Sequence, residues 1–455
     1  MTIADFKDNF SKTTSLAVPV MLSQLGQVLV GVADSMMVGR LGAEPLAAAS
    51  LANSIFYVAL MFGIGVSMAI TPLVAMEDGK KNSGKISRLF NHGFVINMAT
   101  GTMLFLLIVM ASPLLNHLNQ PEEVVIQAIP YLAIITFSLL PFMFFQTFKQ
   151  LAEGLSQTKQ AMYITLLCNV INVFLNWVLI YGNLGFPALG LNGAGWATLI
   201  SRVLMGGIIM YYVWNSKRYK PFSLSLGIKK LSFPMITKML KIGVPTGFQF
   251  IFEVGAFSSA AIMMGWISVN ALAAHQIAIN LASVSYMMAS GLSIAAMVRV
   301  GNQLGRNDIR SLREAGFTVF VMVALFMSIT AFIFIVFREF LPSLYIDDQE
   351  VIQMSATLLI IAGLFQLSDG IQVVGLGALR GMSDVRVPTI VTLVAYWIIG
   401  LPLGYVFAFV FGMQEVGIWY GLLIGLTVTG ILLLFRFHRL SSRLLREKNS
   451  KIPSV

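Results

Sequence analysis

Long apolar runs dominate the chain, and polar positions gather between them at near-regular intervals. A helix needs about 20 mainly apolar residues to cross the hydrocarbon of a bilayer. Twelve stretches reach that length: 14–38, 50–76, 92–116, 123–150, 160–181, 190–214, 238–264, 274–298, 312–337, 351–376, 388–410 and 416–438. They are long and continuous, unlike the short alternating strands of a membrane barrel. The pattern predicts an all-α membrane protein with twelve transmembrane helices. The start of the chain is polar, with Asp5, Lys7, Asp8 and Lys12, and it lacks the apolar core and cleavage site of a signal peptide.

Composition agrees with this reading and excludes others. Charged residues make up 11% of the 455 and the mean hydropathy is +0.81, whereas soluble domains carry about 25% charge. So few charges cannot cover a soluble surface, which sets aside soluble enzymes, disordered chains and disulfide scaffolds. The single cysteine, Cys168, has no partner for an internal disulfide.

The basic residues orient the chain, because Lys and Arg stay on the cytoplasmic side. With the N-terminus inside, 27 of the 30 fall in inside connections and tails, two (Arg40 and Arg338) fall outside, and Arg202 lies within a span. Both termini are therefore expected in the cytoplasm. The net charge of +10 follows from this topology and the anionic inner leaflet. Nucleic-acid binding is set aside, since the cations are spread over short loops.

The longest basic connection, 215–237, divides the chain into an N-terminal lobe (1–214) and a C-terminal lobe (238–440), with a cytoplasmic tail at 441–455. The halves align at an offset of 226: Val18-Pro19 with Val244-Pro245, Leu46-Ala47-Ala48 with Leu272-Ala273-Ala274, Gly65, Ser67 and Ala69 with Gly291, Ser293 and Ala295, and Gly79-Lys80 with Gly305-Arg306. At an offset of 227, Gly154 and Ser156 match Gly381 and Ser383. Both halves begin inside and hold six spans, so the repeat is parallel. Two pseudo-symmetric six-helix lobes of this kind are an architecture of alternating-access transporters.

Ionisable groups inside the hydrocarbon are costly and mark function by default. Three acids fall well within the spans: Asp34, Glu253 and Asp369. Glu153, near the inner end of span four, reads as an interfacial acid, and Arg202 is the available intramembrane base. Each acid has polar company at helical spacing: Gln24, Gln27 and Gly31 with Asp34, Gln249 with Glu253, and Gln366 and Gln372 with Asp369. Asn169, Asn172 and Asn176 add a stripe in span five, which bonding between helices would also explain. In the repeat Glu253 aligns with Gln27 and Asp34 with Ala260, so the two lobes carry different ionisable groups. His275 reads as a structural hydrogen-bonding residue. The 26 methionines suit adaptable packing or binding surfaces. There is no Walker loop, zinc motif or nucleophile elbow, which excludes ATP-driven pumping by this chain alone.

Six segments together resemble the multidrug and toxic compound extrusion (MATE) family, in its NorM-type bacterial branch. They are GVADSMMVGRLG (31–42), NVFLNWVLIYGNLG (172–185), IFEVGAF (251–257), AAHQIAIN (273–280), RVGNQLG (299–305) and QLSDGIQVVGLGALRG (366–381). The resemblance implies a bacterial inner-membrane exporter of cationic, amphipathic compounds, driven by inward flow of Na⁺ or H⁺. It places Glu253 and Asp369 on the family's cation-site carboxylates, where Na⁺ would bind, and Asp34 on the N-lobe acid with Asn172 and Asn176 beside it. Phe365 stands where NorM relatives can have a tyrosine. Na⁺ takes oxygen ligands, by analogy with other hard cations, and two close carboxylates tend to share a proton. The expected partners are small cationic drug-like compounds and membrane lipids, with no nucleic acid, no cofactor beyond the coupling ion, and a monomer as the working unit. The alternative is a lipid-linked saccharide flippase of a related two-lobe fold. An anionic headgroup would call for a cleft lined with Arg and Lys, and the three intramembrane acids against Arg202 favour the exporter. A membrane-embedded enzyme is disfavoured by four scattered histidines.

The topology is open to direct test. Alkaline phosphatase, active only outside, should be inactive when fused at 227 and active when fused at 183. Activity from the 227 fusion would overturn the orientation.

Overall fold

The structure, a computed structural model, describes residues 3–117, 120–227 and 231–450. Twelve helical spans follow one another: α1 (Asp5–Gly39), α2 (Ala43–Gly79), α3 (Ser83–His117), α4 (Glu122–Gly154), α5 (Thr158–Tyr181), α6 (Leu191–Asn215), α7 (Phe233–Ile267), α8 (Val269–Gly305), α9 (Ile309–Val336), α10 (Gln349–Gly381), α11 (Arg386–Val410) and α12 (Gln414–Asn449). No strand occurs among the described residues. The all-α reading is borne out. Several helices run past their apolar stretch, because backbone hydrogen bonding continues into water where hydropathy stops. Thus α12 extends to Asn449, and its Arg436 grips Asp384 with two bonds, of 2.5 and 3.0 Å.

The repeat is visible in the turns. Lys81 and Asn307, 226 apart, both have φ of 57°, and Ser156 and Ser383, 227 apart, have φ of 61° and 60°. After the first pair the next helix is capped alike. Asn82 accepts from Lys85 N at 3.1 Å, and Asp308 accepts from Ser311 N at 3.2 Å, each satisfying an otherwise orphaned N–H. The Ser311 hydroxyl also donates to Asp308, at 2.7 Å. These bonds, the hydroxyl's foremost, hold the Asp308 carboxyl below its ordinary range. The halves differ in their helix interruptions. α2 is broken by a turn at Met68 and Ala69, and α4 at Ser138. α11 instead carries π-helical turns at Val394–Gly400 and Val406–Val410, on either side of Pro402. The ring of Pro402 cannot donate and crowds the preceding turn, and widened turns absorb that misfit.

The chain forms two compact units. One is Leu22–Gly247; the other joins the residues up to Met21 to those from Phe248 onward. Two helices are therefore shared out: the start of α1 packs with the second-half unit, and the start of α7 with the first-half unit. A linear cut at the 215–237 connection does not give this division. Its physical origin is long-range. In the second-half unit, buried Arg299 of α8 donates to the Asn9 carbonyl and the Thr13 hydroxyl at 2.7 Å each, and also to the Asn9 side chain. On the same helix, Gly291 faces the backbone of Ala17 and Met21 so closely that a Cβ would lie 3.0 Å from the Ala17 oxygen. In the first-half unit Gly65 meets the backbone of Thr246 and Gly247 in the same way. Gly65 and Gly291 are repeat mates, as are Met21 and Gly247, so one close helix crossing is built twice. Small residues are what allow membrane helices to approach like this.

Gly65→Leu and Gly291→Leu each force a side chain into backbone. Each should cost ~1–3 kcal/mol, read as a lower thermal midpoint of the solubilised protein. Gly207→Leu, at a position with open space around it, should not lower the midpoint. Equal midpoints for all three variants would contradict the crossing.

Candidate cation site

In the second-half unit α7, α8, α10 and α11 bring polar side chains together within an apolar surround. Glu253 of α7 is 5% exposed and Asp369 of α10 is 6% exposed. They are near enough for their charges to act on each other. Glu253 accepts at 3.2 Å from Gln372 Nε2, and the Tyr396 hydroxyl donates to Gln372 Oε1 at 3.0 Å. This chain fixes the orientation of the Gln372 amide, so its N–H points at the carboxylate. The Tyr286 hydroxyl of α8 also hydrogen-bonds Glu253. Asp369 has no hydrogen-bond partner among the described residues. Gln366, one turn before it, is wholly buried, and both its Oε1 and its Nε2 are without partners among the described residues. Leaving such a group unpaired costs about 1–3 kcal/mol, so the cluster holds hydrogen-bonding capacity that the protein itself does not use.

Of the residues expected here, the structure brings Glu253 and Gln372 into direct contact. Asp369 lies close by, and Gln249 is one turn from Glu253 on α7. Tyr286 and Tyr396 belong to the network but carried no signal in the sequence beyond being aromatic residues in a span. Phe365 supplies no oxygen. Its ring stacks on Trp419 with centroids 5.5 Å apart, and Trp419 Nε1–H donates to His275 Nδ1 at 3.2 Å. His275 thus sits in a packed hydrogen bond with an indole.

One sequence-based expectation needs correction. The charge count assigns Arg380 to an inside connection. It lies within α10, 5% exposed, donating from Nη2 to Gln249 Oε1 at 2.9 Å, its guanidinium 5.4 Å from the centre of the Phe250 ring. Hydropathy ended the span at 376, but the helix runs on to Gly381 and the long side chain reaches back along it. Arg202 is therefore not the sole base available to the buried acids, which weakens the charge count used against a flippase. Glu153, at the inner end of α4, is buried against protein at 1% exposure, with Lys149, one turn away, at 3.8 Å.

The first-half unit holds the other acid. Asn176 Nδ2 donates to Asp34 Oδ1 and, at 3.3 Å, to Asn172 Oδ1, joining α1 to α5 as the asparagine stripe suggested. Gln27 shares the helix with Asp34, two turns away, and no hydrogen bond connects them among the described residues. Arg202 makes no ion pair with an acid among the described residues. It donates from Nη1 to the Ser138 hydroxyl at 2.7 Å, and its guanidinium lies 5.1 Å from the Phe56 ring centre and 4.9 Å from that of Phe142. Cation–π contacts and one hydroxyl, in place of a carboxylate, hold this charge.

Comparison with known proteins agrees with the fold and the repeat. The MatE family model matches residues 19–178 and 245–406, two stretches that begin 226 residues apart. The multidrug resistance protein MdtK of Yersinia pseudotuberculosis is 33% identical over 434 residues, covering 94% of this chain and 95% of that protein. The probable multidrug resistance protein NorM of Mesorhizobium japonicum is 34% identical over 441 residues, covering 95% and 94%. The eukaryotic MATE transporter AtDTX14 superposes with a TM-score of 0.86 at 21% identity, over 97% of this chain and 99% of its own. An outward-facing multidrug resistance MATE family transporter of the MOP superfamily gives 0.88 at 20% identity, over 96% of each chain. At these identities the two structural likenesses speak for the fold.

Proposed function

The chain belongs to the MatE family of multidrug transporters, and from that premise we propose that it exports cationic, amphipathic compounds in exchange for Na⁺ or H⁺ by alternating access. Glu253 and Asp369 bind the coupling cation, with Gln372, Tyr396 and Tyr286 setting the Glu253 carboxylate and Gln366 and Gln249 lending polar groups. Asp34, with Asn172 and Asn176, does a separate job, sensing protonation or touching substrate. The protein works in a bacterial inner membrane with both termini in the cytoplasm.

The observation that carries this reading is the buried pair of carboxylates beside an amide with no partner. Two carboxylates in a low dielectric repel each other, and a bound cation or proton relieves that repulsion. An organic cation can relieve it too. Competition among these for one set of charges is the simplest route to antiport: loading from outside with the coupling ion displaces the drug, and loading with drug displaces the ion. Oxygen-rich surroundings suit Na⁺ by analogy with other hard cations, and the same carboxylates suit a proton.

The reading is tested by dye efflux in inverted vesicles, first under an imposed Na⁺ gradient and then under an imposed pH gradient. One gradient should drive ethidium movement in the wild type. Glu253→Gln and Asp369→Asn, which keep shape and remove a charge, should reduce it to vesicle background while expression stays normal. Wild-type efflux in both variants would make the pair structural and remove the proposed mechanism.

A further inference from the structure

Arg380 occupies a telling place relative to Glu253. Its guanidinium donates to the Gln249 side-chain oxygen, Oε1, and Gln249 and Glu253 are four residues apart, on the same face of α7. The distance along the helix is about 6 Å. In the proposed orientation α7 starts at its cytoplasmic end, which puts Gln249 on the inward side of Glu253. The charge of Arg380 reaches the Glu253 carboxylate. The other end of the Gln249 amide, Nε2, is buried without a hydrogen-bond partner among the described residues, so the arginine is the partner this side chain has within the protein. The repeat mate of Arg380 is Glu153, which pairs with Lys149. The positive charge at this position thus belongs to the half that carries the Glu253–Asp369 pair.

Building on the proposed cation site, we propose that Arg380 is a positioning residue that competes with the coupling cation for Glu253 from the cytoplasmic side. With the ion bound, the guanidinium rests on Gln249 and Phe250. When the ion leaves, it moves one helical turn outward to Glu253. A buried carboxylate without an opposite charge is strongly destabilising, so a tethered cation lets the empty site exist. It also keeps ion affinity below what two carboxylates alone would give, which permits release, and it sets a positive barrier on the inward side against passage of the bare ion.

The test uses purified full-length protein, titrated with Na⁺ at fixed pH and with protons in the absence of Na⁺, and followed by tryptophan fluorescence. Trp397 is a natural reporter, since its Nε1–H donates to the Phe252 carbonyl at 3.0 Å. Arg380→Gln removes the competitor and should tighten binding of whichever cation the wild type takes by about tenfold or more. Gln249→Leu removes a hydrogen bond that holds the guanidinium at rest and should loosen binding by a similar factor. Arg380→Lys, which keeps the charge, should stay within about threefold of wild type. A purely structural role would loosen binding in both of the first two variants. Unchanged or weaker binding in a monodisperse Arg380→Gln protein overturns the proposal. Should that variant not fold, Arg380→Met, which also removes the charge, is titrated in its place, and unchanged or weaker binding there overturns the proposal. Glu253→Gln is titrated in parallel. If it binds like wild type, or if wild type binds neither ion, the cation site itself falls and this inference with it. If Glu253→Gln loses binding while Arg380→Gln matches wild type, only the role of Arg380 is lost.

Discussion

A carboxylate in hydrocarbon must be met by hydrogen bonds, an opposite charge, a cation or a proton. That demand organises the second-half unit. Glu253 receives Gln372 and Tyr286, Gln372 is steered by Tyr396, and Arg380 waits a turn away on Gln249. Asp369 receives none of this and has a partnerless amide one turn before it. The protein satisfies one carboxylate and leaves the other open, an arrangement suited to an occupant that comes and goes. In the first-half unit the balance differs. Asp34 is bonded by Asn176, and Arg202 is secured by two phenyl rings and a serine.

Duplication supplies the frame and divergence supplies the chemistry. The close crossings at Gly65 and Gly291, the left-handed turn positions and the capped helix starts recur at matching places in both halves. These are backbone features, set by where helices touch and reverse. The ionisable positions are not shared: Glu253 faces Gln27 in the alignment, Asp34 faces Ala260, and Arg380 faces Glu153. Backbone geometry tolerates little variation, whereas one side chain can change the charge of a site without disturbing the helices that carry it.

The twelve spans were legible in the sequence because hydrocarbon imposes a length and an apolar composition that hydropathy reads directly. The repeat was legible because glycine, proline and turn residues sit where the backbone requires them. Glu253 and Asp369 stood out because acids are rare in spans. Arg380 did not, since a long side chain near a helix end reads as a loop cation until its reach along the helix is known. Tyr396 and Tyr286 were hidden because an aromatic residue in a span reveals nothing about where its hydroxyl goes. The division of α1 and α7 between units was also hidden. It rests on contacts such as Arg299 with Asn9 and Thr13, nearly 300 residues apart along the chain, to which no local pattern points.

The central claim is that the coupling cation is held by the carboxylates of one unit while Asp34 serves another purpose. Equilibrium binding of radioactive Na⁺, paired with proton release on substrate addition, should be measured on purified Asp34→Asn and Asp369→Asn proteins. The account predicts that ion binding survives, at least in part, in Asp34→Asn and is lost in Asp369→Asn. Equal loss in both would contradict it, and would mean that a single coupled network includes all three acids.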